Sequence, residues 1–313
     1  MFGYCTNLAT IYVGENFVTT NAISSTNMFY DCQLLKGAIA YNANKTNRIF
    51  ANYKTGYFTK LVGKNGDEKI GAVGEILTAE NLTLNDDKDF VAYELFTATT
   101  ATYSREMKTG TTWATLCLPF EVLPENQNFR AFKLLSADEG TNTIELEEIT
   151  TSIAVGTPII IKMNEGQTAL GFSVADKMIE KDAKIAATAD GRYQLVGLYA
   201  TKMFDKTTDN NCYIVKGNKL MNPAKILSGT STEAVGSKPF RAYMVDKSSS
   251  ASGAKMFSIS ENGSNPTGID QLTDTLNDSN AIYYDLQGHR LSQPQKGINI
   301  LKVGNKTMKV IIK

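Results

Sequence analysis

The chain has 313 residues, 42% of them hydrophobic, enough to fill real cores rather than to remain a disordered linker. Its 32 basic residues balance 32 acidic ones, which leaves no long-range field to draw it to nucleic acid or to an anionic membrane. No stretch reaches the ~18 to 20 unbroken apolar residues of a membrane-spanning helix, and the first residues carry neither the basic nor the apolar segment of a secretory signal.

The first pattern along the chain is a repeat. Met1-Phe2-Gly3-Tyr4-Cys5-Thr6-Asn7-Leu8 returns as Met28-Phe29-Tyr30-Asp31-Cys32-Gln33-Leu34-Leu35, matching at Met, Phe, Cys and Leu with an offset of 27 residues. Units of this size cannot bury their own apolar face and are expected to stack, so that equivalent residues become ladders. Met1 is then an internal repeat position, with further copies of the unit and a secretion signal expected upstream in the parent gene. Cys5 and Cys32 become stacked neighbours, near enough for a disulfide or else small core thiols, the commoner arrangement.

Leu8 to Val13, then Ser25 to Cys32, then Gly56-Tyr57-Phe58-Thr59 resemble the last repeats of BspA-like leucine-rich repeat surface proteins. In that family a strand leads into an N-M-F-x-x-C segment. The array closes on a Tyr-Asn-rich stretch ending in G-Y-F-T, as Tyr41-Asn42 through Thr59 does here. The resemblance covers residues 1–60 and implies the end of an extracellular leucine-rich-repeat solenoid of the Bacteroidetes type, used for adhesion to host proteins or other cells. Residues 61–81 read as a connector.

Over residues 82–260 the pattern changes to short apolar or alternating runs separated by turn residues. The expected strands are Phe90 to Phe96, Trp113 to Phe120, Phe129 to Leu135, Thr143 to Ile149, Pro158 to Met163, Ala169 to Val174, Arg192 to Tyr199, Cys212 to Val215, Phe240 to Val245 and Met256 to Ile259. Gly217-Asn218 reads as a two-residue hairpin turn of type II′. No segment holds a 3.6-residue apolar period, so a β-sandwich-like domain is expected. Thr112 to Phe120, Gly156 to Lys162 and Pro239 to Tyr243 are similar to an accessory β-domain that follows such repeats.

Residues 261–281 form a polar linker. Beyond it, Ile282 to Leu291 and Gly297 to Val303 precede a turn at Gly304-Asn305 and a last strand, Met308 to Ile312. This segment, 282–313, resembles the carboxy-terminal sorting modules of type IX secretion, which share the Y-D-L-Q-G and K-G-I-x-I-x-K-V phrases. The resemblance implies the secretion machinery as a partner.

Residues that carry chemistry are few. The chain has one histidine, His289, at a turn position, which makes Ser-His-Asp and Cys-His sites improbable. Cys117 and Cys212 lie in strands without a CxxC partner, which argues against zinc. Asn85-Asp86-Asp87-Lys88-Asp89 has some of the composition of a calcium loop, but Phe90 and Phe96 stand where the required Gly and bidentate Glu would be, so a solvated turn is expected. Glu145, Glu147 and Glu148 could pair carboxylates for glycoside hydrolysis, yet read as the wet edge of a sheet. Trp113 shares a face with Thr115 and Cys117, either as a sugar-stacking platform or, the commoner case, in a core.

The sequence therefore predicts a mainly β protein: the end of a leucine-rich-repeat solenoid, a β-sandwich-like domain and a small C-terminal β-module. It predicts no catalytic, cofactor-binding or metal-binding residue. The expected function is non-catalytic, adhesion or ligand binding on the cell surface or in secreted form, at an extracellular or outer-membrane location. Expected partners are host or bacterial surface proteins or glycans. The alternative is a glycan-binding accessory module of a larger polysaccharide-processing surface protein.

Overall fold

The two copies of the Met-Phe-x-x-Cys-x-x-Leu unit fold alike. In the computed structural model, which describes residues 2–19, 26–227, 234–248, 254–261, 282–285, 289–291, 293–303 and 306–312, Cys5 N donates to Phe2 O at 3.1 Å and Leu8 N to Cys5 O at 3.0 Å. One copy later Cys32 N donates to Phe29 O at 3.2 Å and Leu35 N to Cys32 O at 2.9 Å. The two successive turns lie on each other: Phe2 N donates to Met28 O at 3.0 Å, Tyr4 N to Tyr30 O at 2.7 Å, and the Phe2 and Phe29 rings stack 5.8 Å apart. A third layer follows, in which Thr46 O accepts from Phe29 N at 2.9 Å. Strands β1 (Ile11–Val13) and β2 (Phe58–Asn65) run parallel, as strands of successive layers do and hairpins cannot. Phe29, Cys32, Leu35, Tyr57 and Phe58 form the core between them.

Gly56, in the closing G-Y-F-T segment, has no room for a side chain. A Cβ there would lie against Phe50 O and 2.7 Å from Asn52 O, both backbone atoms that cannot swing aside. Gly56→Ala is therefore expected to destabilise the stack by about 1–3 kcal/mol, seen as a lower denaturant midpoint of the full chain; an unchanged midpoint would show that the turn relaxes to admit the methyl group.

The protein is mainly β, 47% strand and 3% helix, as the short alternating runs imply. The stretch 61–81 is itself largely strand: β2 turns at Gly66, whose φ of +60° suits glycine, into β3 (Glu68–Ala72), followed by β4 (Thr78–Asn85). The expected strand Phe90 to Phe96 is broken: β5 (Phe90–Ala92) pairs with β2, and β6 (Phe96–Glu106) starts at Phe96 and runs through residues for which no strand is expected. Its core-facing positions include Ala98 and Ala101, so its apolar stripe is faint, while its threonines favour strand. The order continues through β7 (Trp113–Leu116), β8 (Phe129–Asp138), β9 (Thr143–Ile149), β10 (Ile159–Met163), β11 (Ala169–Ile179), β12 (Ile185–Ala187), β13 (Tyr193–Gly197), β14 (Lys202–Phe204), β15 (Cys212–Lys216), β16 (Lys219–Met221), the short helix α1 (Pro223–Ile226), β17 (Val235–Ser237), β18 (Ala242–Asp246) and β19 (Met256–Glu261).

One curled sheet is ordered β12-β13-β18-β15-β16-β19-β9-β8-β10-β7, and a second, three-stranded sheet is ordered β11-β6-β4. The wall formed by β7, β8 and β10 separates two cores. Ile159 and Ile161 of β10 point with Phe129 and Ala131 of β8 toward Tyr103, Leu170 and Phe172 of the three-stranded sheet. Ile160 points the other way, with Phe132 and Leu134, toward Tyr193, Leu195, Met244 and Phe257. Three consecutive isoleucines are what a strand buried on both faces requires.

Two local expectations change. Gly217 and Asn218 have φ of +58° and +60°, so their turn is type I′, not II′; asparagine tolerates this conformation, and its side chain is held in place, Oδ1 accepting from Thr112 N at 2.8 Å and Trp113 N at 3.0 Å. Strand β9 is no edge, since it lies between β8 and β19; only its Glu145–Glu147 face is wet.

Residues Met1–Asn262 make one compact unit and Gly263–Lys313 another. In the second, β20 (Ile282–Tyr284), β21 (Arg290–Leu291), β22 (Gly297–Val303) and β23 (Lys306–Ile312) form an antiparallel sheet ordered β21-β20-β22-β23. Of the expected linker over 261–281, Glu261 instead ends β19; the rest of it and the turn at Gly304-Asn305 lie outside the described residues.

Candidate ligand-binding cleft

A cleft of about 610 Å³ with a mixed polar and apolar lining opens where the end of β6, the loop after it, β7, the β15–β16 turn and the segment before β18 meet. Alternation along β6 explains what faces it. Ala101 and Tyr103 point into the core, and Arg105, two residues on, points to the same side just where the core ends. Its guanidinium Nη1 donates to Thr115 O of β7 at 2.9 Å. The Thr115 hydroxyl stitches β7 to β18, donating to Ala242 O at 3.0 Å and accepting from Ala242 N at 2.9 Å.

Behind Arg105 lies an ion pair between distant parts of the chain. Arg241, one residue before β18, makes a two-pronged contact with Asp86, one residue after β4, at 2.5 and 2.8 Å, and also donates to Pro239 O at 2.9 Å. The Tyr103 hydroxyl donates to Asp86 Oδ1 at 2.5 Å. Burial alone would push the Asp86 carboxyl up, but the bonds from Arg241 and Tyr103 outweigh it and hold the group below the usual carboxylate range. Burial raises Tyr103 well above an ordinary phenol. Arg105 is pushed down to about 10, by burial first and then by the like charge of Arg241. Two guanidiniums thus face one carboxylate, and that carboxylate is already taken.

The residues singled out in the sequence are dispersed. Trp113 lines part of the cleft but is only 9% exposed, its ring 5.5 Å from Phe132 with Lys162 Nζ over it, so it is a core residue and no open sugar platform. Cys117 does not share its core; it packs on the other side of the wall, because β7 ends at Leu116 and the chain turns. The carboxylates of Asn85 to Asp89 diverge: Asp86 goes to Arg241, Asp87 to Lys238 and Asp89 to Thr201. Glu145 accepts from Ser136, Glu147 pairs with Lys133, and Glu148 holds Arg130 at 2.6 and 2.8 Å, each across the β8–β9 ladder. Among the described residues no group of three or more His, Cys, Asp or Glu converges as a metal site would require. His289 is exposed in the second unit and closes a turn, its Nδ1 2.9 Å from Asp285 Oδ2.

All four cysteines are free. Cys32 is a buried thiol donating to Phe2 O at 2.9 Å, but Cys5 is exposed, so the core-thiol expectation holds for one of the pair. Cys117 and Cys212 are each pushed up to about 12 by burial, which leaves both poor nucleophiles. Sequence reading missed Arg105 and Arg241 altogether. The one available signal was an arginine continuing the core-facing alternation of β6, and that strand was not recognised.

The outer surface of the stacked turns carries an aromatic pair. Tyr4 and Tyr30 are 74% and 44% exposed and meet edge to face, with centroids 5.3 Å apart. Comparison with protein-family models, with curated proteins and with solved structures finds no match to this chain.

Proposed function

We propose that this chain is a non-catalytic binding module of a secreted or cell-surface protein. In this reading residues 1–60 are the end of a BspA-like leucine-rich-repeat solenoid, 82–260 a β-sandwich-like accessory domain and 282–313 a sorting-like β-module. The observation that carries it is the 27-residue repeat whose turns stack with the same hydrogen bonds and lay Tyr4 against Tyr30 on the outside. Tyr4 and Tyr30 hold different positions of the unit, Tyr4 aligning with Asp31 and Tyr30 with Gly3, yet the stacking brings them together as one exposed aromatic pair, and tyrosines are among the residues that dominate binding at protein surfaces. The ligands are host or bacterial surface proteins or glycans.

The test is binding of the full chain to immobilised extracellular-matrix proteins and to a glycan array. Tyr4→Ala with Tyr30→Ala is expected to weaken the strongest interaction by tenfold or more, about 1.4 kcal/mol, without lowering the melting temperature, since both rings are exposed. Binding that ignores both substitutions would remove the repeat surface from the reading. One observation favours a glycan-binding accessory module instead: the cleft beside Arg105, lined by charged and hydroxyl side chains as well as apolar ones.

A further inference from the structure

We infer that this cleft is a binding site for an acidic saccharide, whose uronate carboxylate is held by the guanidinium of Arg105. The inference stands apart from the stacked-turn surface and deepens the glycan-binding alternative. It begins with charge. Arg105, Arg241, Lys108 and Lys238 line the cleft against Asp86 and Glu106, and Asp86 is committed to Arg241 and Tyr103. Lys238 is likewise paired with Asp87, which leaves Arg105 and Lys108 against Glu106, an excess of one positive charge.

Arg105 is the group that carries it. A guanidinium has five N–H groups in a fixed fork; here one donates to Thr115 O, Tyr103 is the neighbouring hydroxyl, and most of the rest have no acceptor among the described residues. The bond to Thr115 O sets the orientation of the fork, so a carboxylate meets donors already in place. Burial and the neighbouring Arg241 both disfavour the charged form of Arg105. An incoming anion offsets both.

The walls select the class of anion. The hydroxyl side chains of Thr109, Thr111 and Ser237 line the cleft, and Gly110 and Gly217 leave backbone open between them. Hydroxyls and bare backbone beside the apolar side chains of Met107, Ile214 and Val215 suit a sugar ring, which carries hydroxyls at its edge and C–H groups on its faces. The volume, about 610 Å³, is that of a small-ligand site.

Trp113 is the only tryptophan of the chain and lines the cleft, so its fluorescence reports occupancy in the unmodified full-length protein. The titrants are a galacturonate trimer, a neutral galactose trimer, an oligoglutamate and sulfate. The expected result is saturable binding of the galacturonate trimer, weakened by added salt, with the other three bound at least tenfold more weakly. Arg105→Lys, which keeps the charge and loses the fork, is expected to weaken binding about tenfold, and Arg105→Gln to abolish it. Should Arg105→Gln fail to fold, Arg105→Lys and the exposed-rim variant Lys108→Ala, expected to weaken binding severalfold, decide the matter. No binding of the galacturonate trimer, equal binding of the neutral trimer, equal binding of oligoglutamate or of sulfate, or a folded Arg105 variant with undiminished affinity would each overturn the inference. None of these outcomes depends on Tyr4 or Tyr30.

Discussion

Asp86→Ala is expected to destabilise the protein by about 3–5 kcal/mol, the loss typical of removing one partner from a buried ion pair. The side chains of Arg241 and Asp86 are only 12% and 18% exposed, so solvent screens the pair little. Without the carboxylate, Arg241 and Arg105 face each other unneutralised, and the Tyr103 hydroxyl loses its acceptor. Asp86→Ala combined with Arg241→Met is expected to cost less than the sum of the single changes, because the second change removes the charge that the first one orphans. A denaturant midpoint of Asp86→Ala close to that of the unaltered chain would mean that water already solvates the pair.

The same pair sets an acid limit. The Asp86 carboxyl titrates lower in the folded protein than in the unfolded chain, so the unfolded chain binds its proton first. Its contribution is complete above the unfolded carboxylate value, about 4, and is lost as pH falls through the lower folded value. Unfolding midpoints measured from neutral to acid pH should therefore fall more steeply for the unaltered chain than for Asp86→Asn.

Phe240→Ala is expected to remove about 3–5 kcal/mol. Phe240 is fully buried, with Tyr103, Phe90 and Tyr199 around its ring at 5.2, 6.3 and 6.4 Å. Its φ is +58°, a conformation that costs a bulky L-residue about 1–2 kcal/mol. The backbone is pinned on both sides: Phe240 N donates to Leu198 O at 2.8 Å, and Phe240 O accepts from Cys117 N at 3.1 Å. The ring thus pays for the strain. Phe240→Gly loses the same ring but relieves the strain, so it should be no less stable than Phe240→Ala even though glycine loosens the unfolded chain. Thermal or denaturant melts compare the two directly, and an alanine variant clearly above the glycine variant would show that the strain is absent. Because Arg241 is the next residue, either change should also disturb the cleft.

Much of the secondary structure was legible because it rests on local rules. Thr143 to Ile149 alternates, and is strand over those same residues. The Met-Phe-x-x-Cys-x-x-Leu unit sets its own turns, through hydrogen bonds that span three residues, so its two copies fold alike. Turn positions at Gly217-Asn218 were readable too, although the turn type needed the measured φ of both residues. What stayed hidden was whatever depends on partners far along the chain. Alternation along β6 is masked where alanine faces the core, and nothing in Glu145 to Glu148 tells an edge from a strand flanked on both sides.

By itself the sequence determined the β character, the repeat and the position of most strands, since side-chain alternation and turn chemistry act over a few residues. Only the tertiary structure decided that β10 divides two cores, that Trp113 is enclosed, and that Asp86 meets an arginine 155 residues away. The physical reason is the same in each case. Burial and ion pairing are properties of neighbours in space, and the strand order that makes those neighbours costs chain entropy in the unfolded state that no local pattern records.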